Sequence, residues 1–250
     1  MPAIFWILAP ILFFVALAYT SVGLGGGSSY WASLYLFGIP STTIPPVVLF
    51  FNIIAASVAL YKFGKKGYFV PKLVSPFLFA SIPATFFGAR WHPDEKVLSI
   101  IFAVILFFIA LILIFKKKEA KVRFSLDKKT TWVLSFFLGA LLGFLAGIMG
   151  IGGGVFLGPV LLLIGFASPK YVAGTCSAFV LVNSVVGLGS HYLQGTVDFS
   201  VLLFLGLAVF AGAQVGSFLG ARKFSPLLLQ RIFAFILLAV SLKLGVGISG

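Results

Sequence analysis

The chain is laid out in long apolar blocks separated by short polar or basic stretches. Ala3 to Val22 opens it, and a shorter run, Ser28 to Phe37, follows a glycine cluster. After a Pro- and Thr-rich connection, Ile39 to Pro45, come Pro46 to Tyr61, a block ending near Ala89, and Val97 to Phe115. Beyond a polar stretch, Lys116 to Lys129, lie Trp132 to Ile148, a short run Val155 to Phe166, then Tyr171 to Tyr192, Phe199 to Ala221 and Leu227 to Ile248. Blocks of about 20 apolar residues cross roughly 30 Å of hydrocarbon as helices. The pattern predicts an all-α polytopic membrane protein.

Two of the blocks end in the same way. Ser21 to Gly27 reads Ser-Val-Gly-Leu-Gly-Gly-Gly, and Met149 to Gly154 reads Met-Gly-Ile-Gly-Gly-Gly, so Gly23, Gly25, Gly26 and Gly27 recur 127 positions later as Gly150, Gly152, Gly153 and Gly154. Such a cluster is expected to break a helix in mid-membrane. The freed N–H and C=O groups are tolerated there only where protein or a water-filled cavity surrounds them. The short helix leaving each cluster starts with unpaired N–H groups and the positive end of its dipole, an arrangement that attracts anions.

The repetition extends past the glycines. Asn52 and Tyr61 match Asn183 and Tyr192 at an offset of 131, while Ala80, Ala84, Gly88 and Arg90 match Gly212, Gly216, Gly220 and Arg222 at 132. The chain therefore reads as two repeats, 1–115 and 131–250, joined by a basic linker at 116–130. Small residues four apart let helices approach closely in lipid, which accounts for Gly212, Gly216 and Gly220 as packing positions.

Composition sharpens the class. Hydrophobic residues make up 61% of the 250 and charged residues 9%, with 30 Phe, which a water-soluble fold has no means of hiding. The formal charge of +13 sits in short loops rather than on an amphipathic face, so it marks topology and not nucleic-acid binding. The first block has no Lys or Arg before it and runs straight into the glycines, so it is read as part of the mature protein and not as a signal peptide. One Cys, Cys176, leaves no intrachain disulfide and no Cys-rich metal site, and no cofactor is expected.

Loop charges give an orientation. With the linker, which holds seven Lys or Arg, in the cytoplasm, the Lys62 to Lys72 loop, Lys170, and Arg222 with Lys223 also fall inside. Ile39 to Pro45, Arg90 to Lys96 and Gln194 to Asp198 then fall outside. Equivalent loops after the two glycine units face opposite ways, the mark of inverted repeats. Each repeat is expected to hold a broken or re-entrant helix unit followed by three transmembrane helices: six full crossings plus two such units, both termini outside.

The candidate chemistry is that of an anion site. Asp94, Glu95, Glu119, Asp127 and Asp198 are all the carboxylates, and every one falls in a predicted loop, which disfavours carriers that depend on buried carboxylates. Gly26, Gly27, Gly153 and Gly154 let the backbone approach a ligand. Ser28 and Ser29 open the first short helix, as anion donors or as caps. Asn52 and Asn183 hold equivalent mid-block places, where a carboxamide must find partners, a substrate or another helix. Ser177, Ser184 and His191 are seven apart and share a helix side. His191 is an anion contact, a proton acceptor or simply an interfacial histidine. Thr175 donates to a ligand or bonds its own backbone. Arg90 and Arg222 suit interfacial anchoring better than anion attraction, and Arg231 and Lys243 read as snorkelling.

Gly23 to Gly27, Gly150 to Gly154, and Ala173-Gly174-Thr175-Cys176-Ser177 leading to Asn183 and His191 together resemble the TauE/SafE family of sulfite and organosulfonate exporters over nearly the whole chain. The first half departs where Pro45 and Pro46 stand in place of Cys176 and Ser177, so hydroxyls come mainly from the second half. The resemblance implies export of a small sulfur-containing anion such as sulfite, sulfoacetate or a related sulfonate. Spacing alone reaches only a carrier for a small anion. A channel-like facilitator for small anions or neutral solutes, a membrane-embedded enzyme and a structural subunit are the competing classes, and no pair stands at catalytic spacing. The expected surroundings are a small anionic solute and the lipid of a cell membrane, with a homodimer left open.

Overall fold

The fold was read from a computed structural model, which describes residues 4–40, 43–91, 95–115, 128–193 and 202–246. All described secondary structure is helical. The helices are α1 (Ile4–Ser21), α2 (Gly27–Leu36), α3 (Ile44–Gly64), α4 (Pro71–Gly88), α5 (Glu95–Phe115), α6 (Lys128–Met149), α7 (Gly154–Leu163), α8 (Pro169–Leu193), α9 (Leu202–Phe218) and α10 (Pro226–Val246), with a π-helical turn at Leu219–Lys223 extending α9. Most of the basic linker, the Gln194 to Asp198 loop, and Asp94, Glu119, Asp127 and Asp198 lie outside the described residues, and Glu95 opens α5.

Among the described residues, four stretches are long and apolar enough to cross a membrane: Ile44–Gly64, Trp132–Met149, Pro169–Leu193 and Phe204–Lys223. Trp6–Ser21, Leu106–Phe115, Gly154–Leu163 and Pro226–Leu242 are shorter apolar helices. Trp6, Phe14, Phe79, Phe137 and Phe235 are 61% to 67% exposed, a surface that suits lipid and not water.

Neighbours in space are not neighbours in sequence. α1 lies along α9 in the same direction, Phe13 beside Gly212, Leu17 beside Gly216 and Ser21 beside Gly220. α4 lies along α6 likewise, with Phe77, Ser81 and Thr85 against Gly139, Gly143 and Gly147. A Cβ on Gly212, Gly216 or Gly220 would overlap a backbone carbonyl of α1, so the expected packing role holds there. The other pair is arranged differently around the repeat mates Ala80, Ala84 and Gly88. Gly88 does press on the Phe144 carbonyl, but most of the small residues sit on the partner helix α6.

α3 and α8 run antiparallel through the middle, Leu49 beside Gly187 at one end and Phe63 clustered with Ala173 at the other. α5 and α10 also pair, tied by Gln230 Nε2 donating to the Leu113 carbonyl at 3.0 Å. One apolar cluster joins Leu106 and Leu113 of α5 with Phe156 and Leu161 of α7, Phe179 of α8 and Phe233 and Leu237 of α10. A second joins Leu8 and Leu12 of α1, Tyr30 and Leu34 of α2, Val48 and Phe51 of α3 and Leu205 and Val209 of α9.

The breaks differ from the expected mid-helix interruption. Ser21 ends α1 level with the last turn of the α9 segment, and Ile148, one residue before α6 ends, lies level with Gly88 at the end of α4. Both long helices therefore run as far as their neighbours before breaking. The turns then lead back inward, and α2 and α7, ten residues and about 15 Å each, start in the interior.

Candidate functional site

Each break is built by glycines in the left-handed region. Gly23 has φ 77° and Gly26 φ 104°, while Gly150, Gly152 and Gly153 have φ 62°, 75° and 75°. Gly26 and Gly153 are the N-cap residues of α2 and α7, and neither cap has a side-chain hydrogen bond. L residues rarely hold this backbone, which is why the clusters are glycine. The N–H groups of Gly25 to Gly27 and Gly152 to Gly154 take no backbone carbonyl. Two helix N-termini thus present free donors and partial positive charge.

The two turns meet. A methyl on Gly27 would come within 2.6 Å of the Ile151 carbonyl, and one on Gly152 within 2.7 Å of Ser184 Oγ and 3.0 Å of Asn52 Nδ2. Residues 21–28 and 150–159 are all buried. Gly26 and Gly27 of one half and Gly153 and Gly154 of the other therefore lie close around one interior region.

Side chains from opposite halves brace the turns. Asn52 on α3 donates from Nδ2 to the Ile151 carbonyl of the second turn at 3.2 Å. Ser177 on α8 donates to the Gly23 carbonyl of the first turn at 3.1 Å, and lies 2.8 Å from the Ala173 carbonyl of its own helix. Asn183 sits three residues beyond Val180, on the α8 face whose Val180 touches Gly25, Gly152 and Gly154. Its Oδ1 accepts from Thr85 Oγ1 at 3.0 Å, and the Thr85 hydroxyl is also 2.9 Å from the Gly143 carbonyl. Both carboxamides thus bond across helices, one of the two roles foreseen for them.

Polar atoms remain over. Asn52 Oδ1, Asn183 Nδ2, Ser184 Oγ, Tyr30 Oη and Thr175 Oγ1 are buried and have no hydrogen-bond partner. Native structures pair most such atoms, and three of these, Asn52 Oδ1, Tyr30 Oη and Ser184 Oγ, lie against Gly25, Gly26 and Gly152, which makes the meeting of the turns the candidate site. Tyr30 stands over Gly26, where a methyl would meet its ring at 2.7 Å and its hydroxyl at 3.0 Å. Thr175 does not bond its own backbone, the alternative foreseen for it.

Other candidates are placed elsewhere. The Tyr19 hydroxyl holds Ser28 at 3.2 Å and Ser29 at 2.7 Å, so both serines fasten α2 to α1. His191 is half-buried in the last turn of α8, far along the helix from the turns. Arg90 and Arg222 are exposed and stack over Phe86 and Phe218, at 4.1 Å and 5.1 Å from the ring centres. Repeat-related residues thus make the same contact at two helix ends. Cys176 is buried beside Gly158, in packing. Sequence reasoning missed Tyr30 and Thr85. Tyr30 directly follows the serines of α2, one turn beyond the glycines, whereas Thr85 has no sequence signal because only the α4–α6 contact brings it to Asn183.

An all-helical, multi-pass membrane protein with a buried polar site between two broken helices has the build of a membrane transporter. The family model described as Sulfite exporter TauE/SafE matches residues 8–244, and the chain belongs to that family. Among curated proteins it is 31% identical over 239 residues to the probable membrane transporter protein y4hK of Sinorhizobium fredii, covering 95% of this chain and 96% of that one. It is 24% identical over 254 residues to the probable membrane transporter protein YunE of Bacillus subtilis, covering 89% and 90%. A 76-residue stretch, 30% of this chain and 17% of the other, is 38% identical to sulfite exporter TauE/SafE family protein 1 of Arabidopsis thaliana. No solved structure matches the chain.

Proposed function

We propose that this membrane transporter exports a small sulfur-containing anion, sulfite or an organosulfonate such as sulfoacetate, across the cell membrane as a secondary carrier. The observation that carries this reading is the meeting of the two glycine turns, where free N–H groups of Gly25 to Gly27 and Gly152 to Gly154 stand beside the buried, unpartnered Ser184 Oγ, with the unpartnered Asn183 Nδ2 on the same helix. Buried donors at two helix starts suit an oxyanion. The name of the family, Sulfite exporter TauE/SafE, supports sulfur as its central atom.

The helix directions support an alternating-access mechanism by inverted repeats. Antiparallel α3 and α8 are repeat mates, and each long pre-break helix pairs with a helix of the other half. Rocking of one half on the other then exposes the same donors to either side.

Purified protein in proteoliposomes should take up labelled sulfite or sulfoacetate saturably, with no comparable water flux. Uptake that stays linear in concentration, with matching water flux, overturns the carrier in favour of a pore.

A further inference from the structure

The two repeat-related carboxamides differ in what holds them. Asn52 Nδ2 donates to the Ile151 carbonyl, and a carbonyl only accepts, so this amide has one orientation. Its Oδ1 lies against Gly25, fully buried and without a partner. Asn183 leans instead on the Thr85 hydroxyl, which both donates and accepts, with the Gly143 carbonyl at 2.9 Å able to take its proton. Asn183 can therefore show either end of its amide to a ligand, while Asn52 is held with its acceptor Oδ1 unpaired.

Charge narrows the ligand further. No described Lys or Arg side chain is buried, so the neutralising charge at the turns comes from helix ends. Two N-termini together supply about one positive charge. That balances a monoanion and leaves a dianion short, so hydrogen sulfite suits the site better than the doubly charged sulfoacetate. An anion whose oxygens are all acceptors also leaves Asn52 Oδ1 unpaired, at a cost of roughly one to two powers of ten in affinity.

Building on the anion-site reading above, we propose that the site takes a monoanion carrying its own O–H donor, such as hydrogen sulfite or a hydroxyalkanesulfonate, and that Asn52 Oδ1 reads that donor. Free N–H groups, Asn183 and Ser184 hold the anionic oxygens while the ligand hydroxyl donates to Asn52.

The test compares isethionate (hydroxyethanesulfonate) with ethanesulfonate, one hydroxyl apart, by calorimetry on the full chain in detergent. Isethionate should bind about tenfold tighter or more. Asn52→Leu should bring the two within about twofold, while Asn183→Leu weakens both and keeps their ratio. Equal binding of the two sulfonates by the unaltered chain overturns the donor requirement and leaves the anion site standing. A ratio that survives Asn52→Leu overturns the role of Asn52. If Asn52→Leu does not fold, the ratio in the unaltered chain still decides. Failure of both sulfonates and of sulfite to bind overturns the anion-site reading itself.

Discussion

The two glycine turns are made alike and furnished differently. Both end a long helix, both begin a ten-residue helix at a left-handed glycine, and each is braced by a side chain of the other half. Yet α2 enters with Ser28, Ser29 and Tyr30, while α7 enters with Val155, Phe156 and Leu157 inside the apolar cluster. The helices that follow reverse the bias. α3 brings Asn52 to the turns, and α8 brings Ser177 and Ser184. The shared part of a duplicated unit is the backbone device, and the divergent part is the choice of polar groups. Since the braces cross, neither half completes its own turn.

The strongest blow to the comparison falls on what the halves share. Gly216→Leu and Gly143→Leu should each destabilise by about 3 kcal/mol or more, since helix backbones must separate. The check is thermal melting with size-exclusion profiles in detergent, and a large loss for only one would mean that the parallel pairs are not equivalent.

Next come equivalent glycines with different backbones. Gly152 has φ 75°, whereas its mate Gly25 lies outside the left-handed region. Ala at Gly25 presses harder on Asn52 than Ala at Gly152 does, whereas only Gly152→Ala adds backbone strain, of about 1 to 2 kcal/mol, so both should lose stability by different routes. Thermal melting checks this, and either variant melting like the unaltered chain would contradict the assigned turn geometry.

The cross-braces should also be unequal. Asn52→Leu leaves the Ile151 carbonyl buried and unpaired, at about 2 kcal/mol. Ser177→Ala should cost about 1 kcal/mol or less, because the hydroxyl proton is already shared with the Ala173 carbonyl. Denaturation of the two variants side by side measures the difference, and the reverse order would show that Ser177 is the principal brace. Smallest is Ser29→Ala, which loosens α2 from Tyr19 by about 1 kcal/mol. Faster hydrogen exchange confined to α2 is the expected sign, and an unchanged rate there would remove the serine from that fastening role.

Apolar blocks of membrane length required helices, glycine clusters required breaks, and neighbouring offsets of 131 and 132 tied Asn52 to Asn183 and Arg90 to Arg222. These were legible because they depend on local composition and spacing alone. The depth of each break was not, because it depends on α1 lying against α9 and α6 against α4, pairs far apart in the chain. Nor were the partners of Ser28 and Ser29, which stand at a helix start as caps do but face Tyr19 across a hairpin. The sequence by itself determined that two interrupted helices exist and that they are copies. Only tertiary structure decided that their starts meet, that Thr85 reaches Asn183 and that Asn52 turns a bare acceptor inward, because a hydrogen bond depends on direction in space and periodicity along the chain carries none.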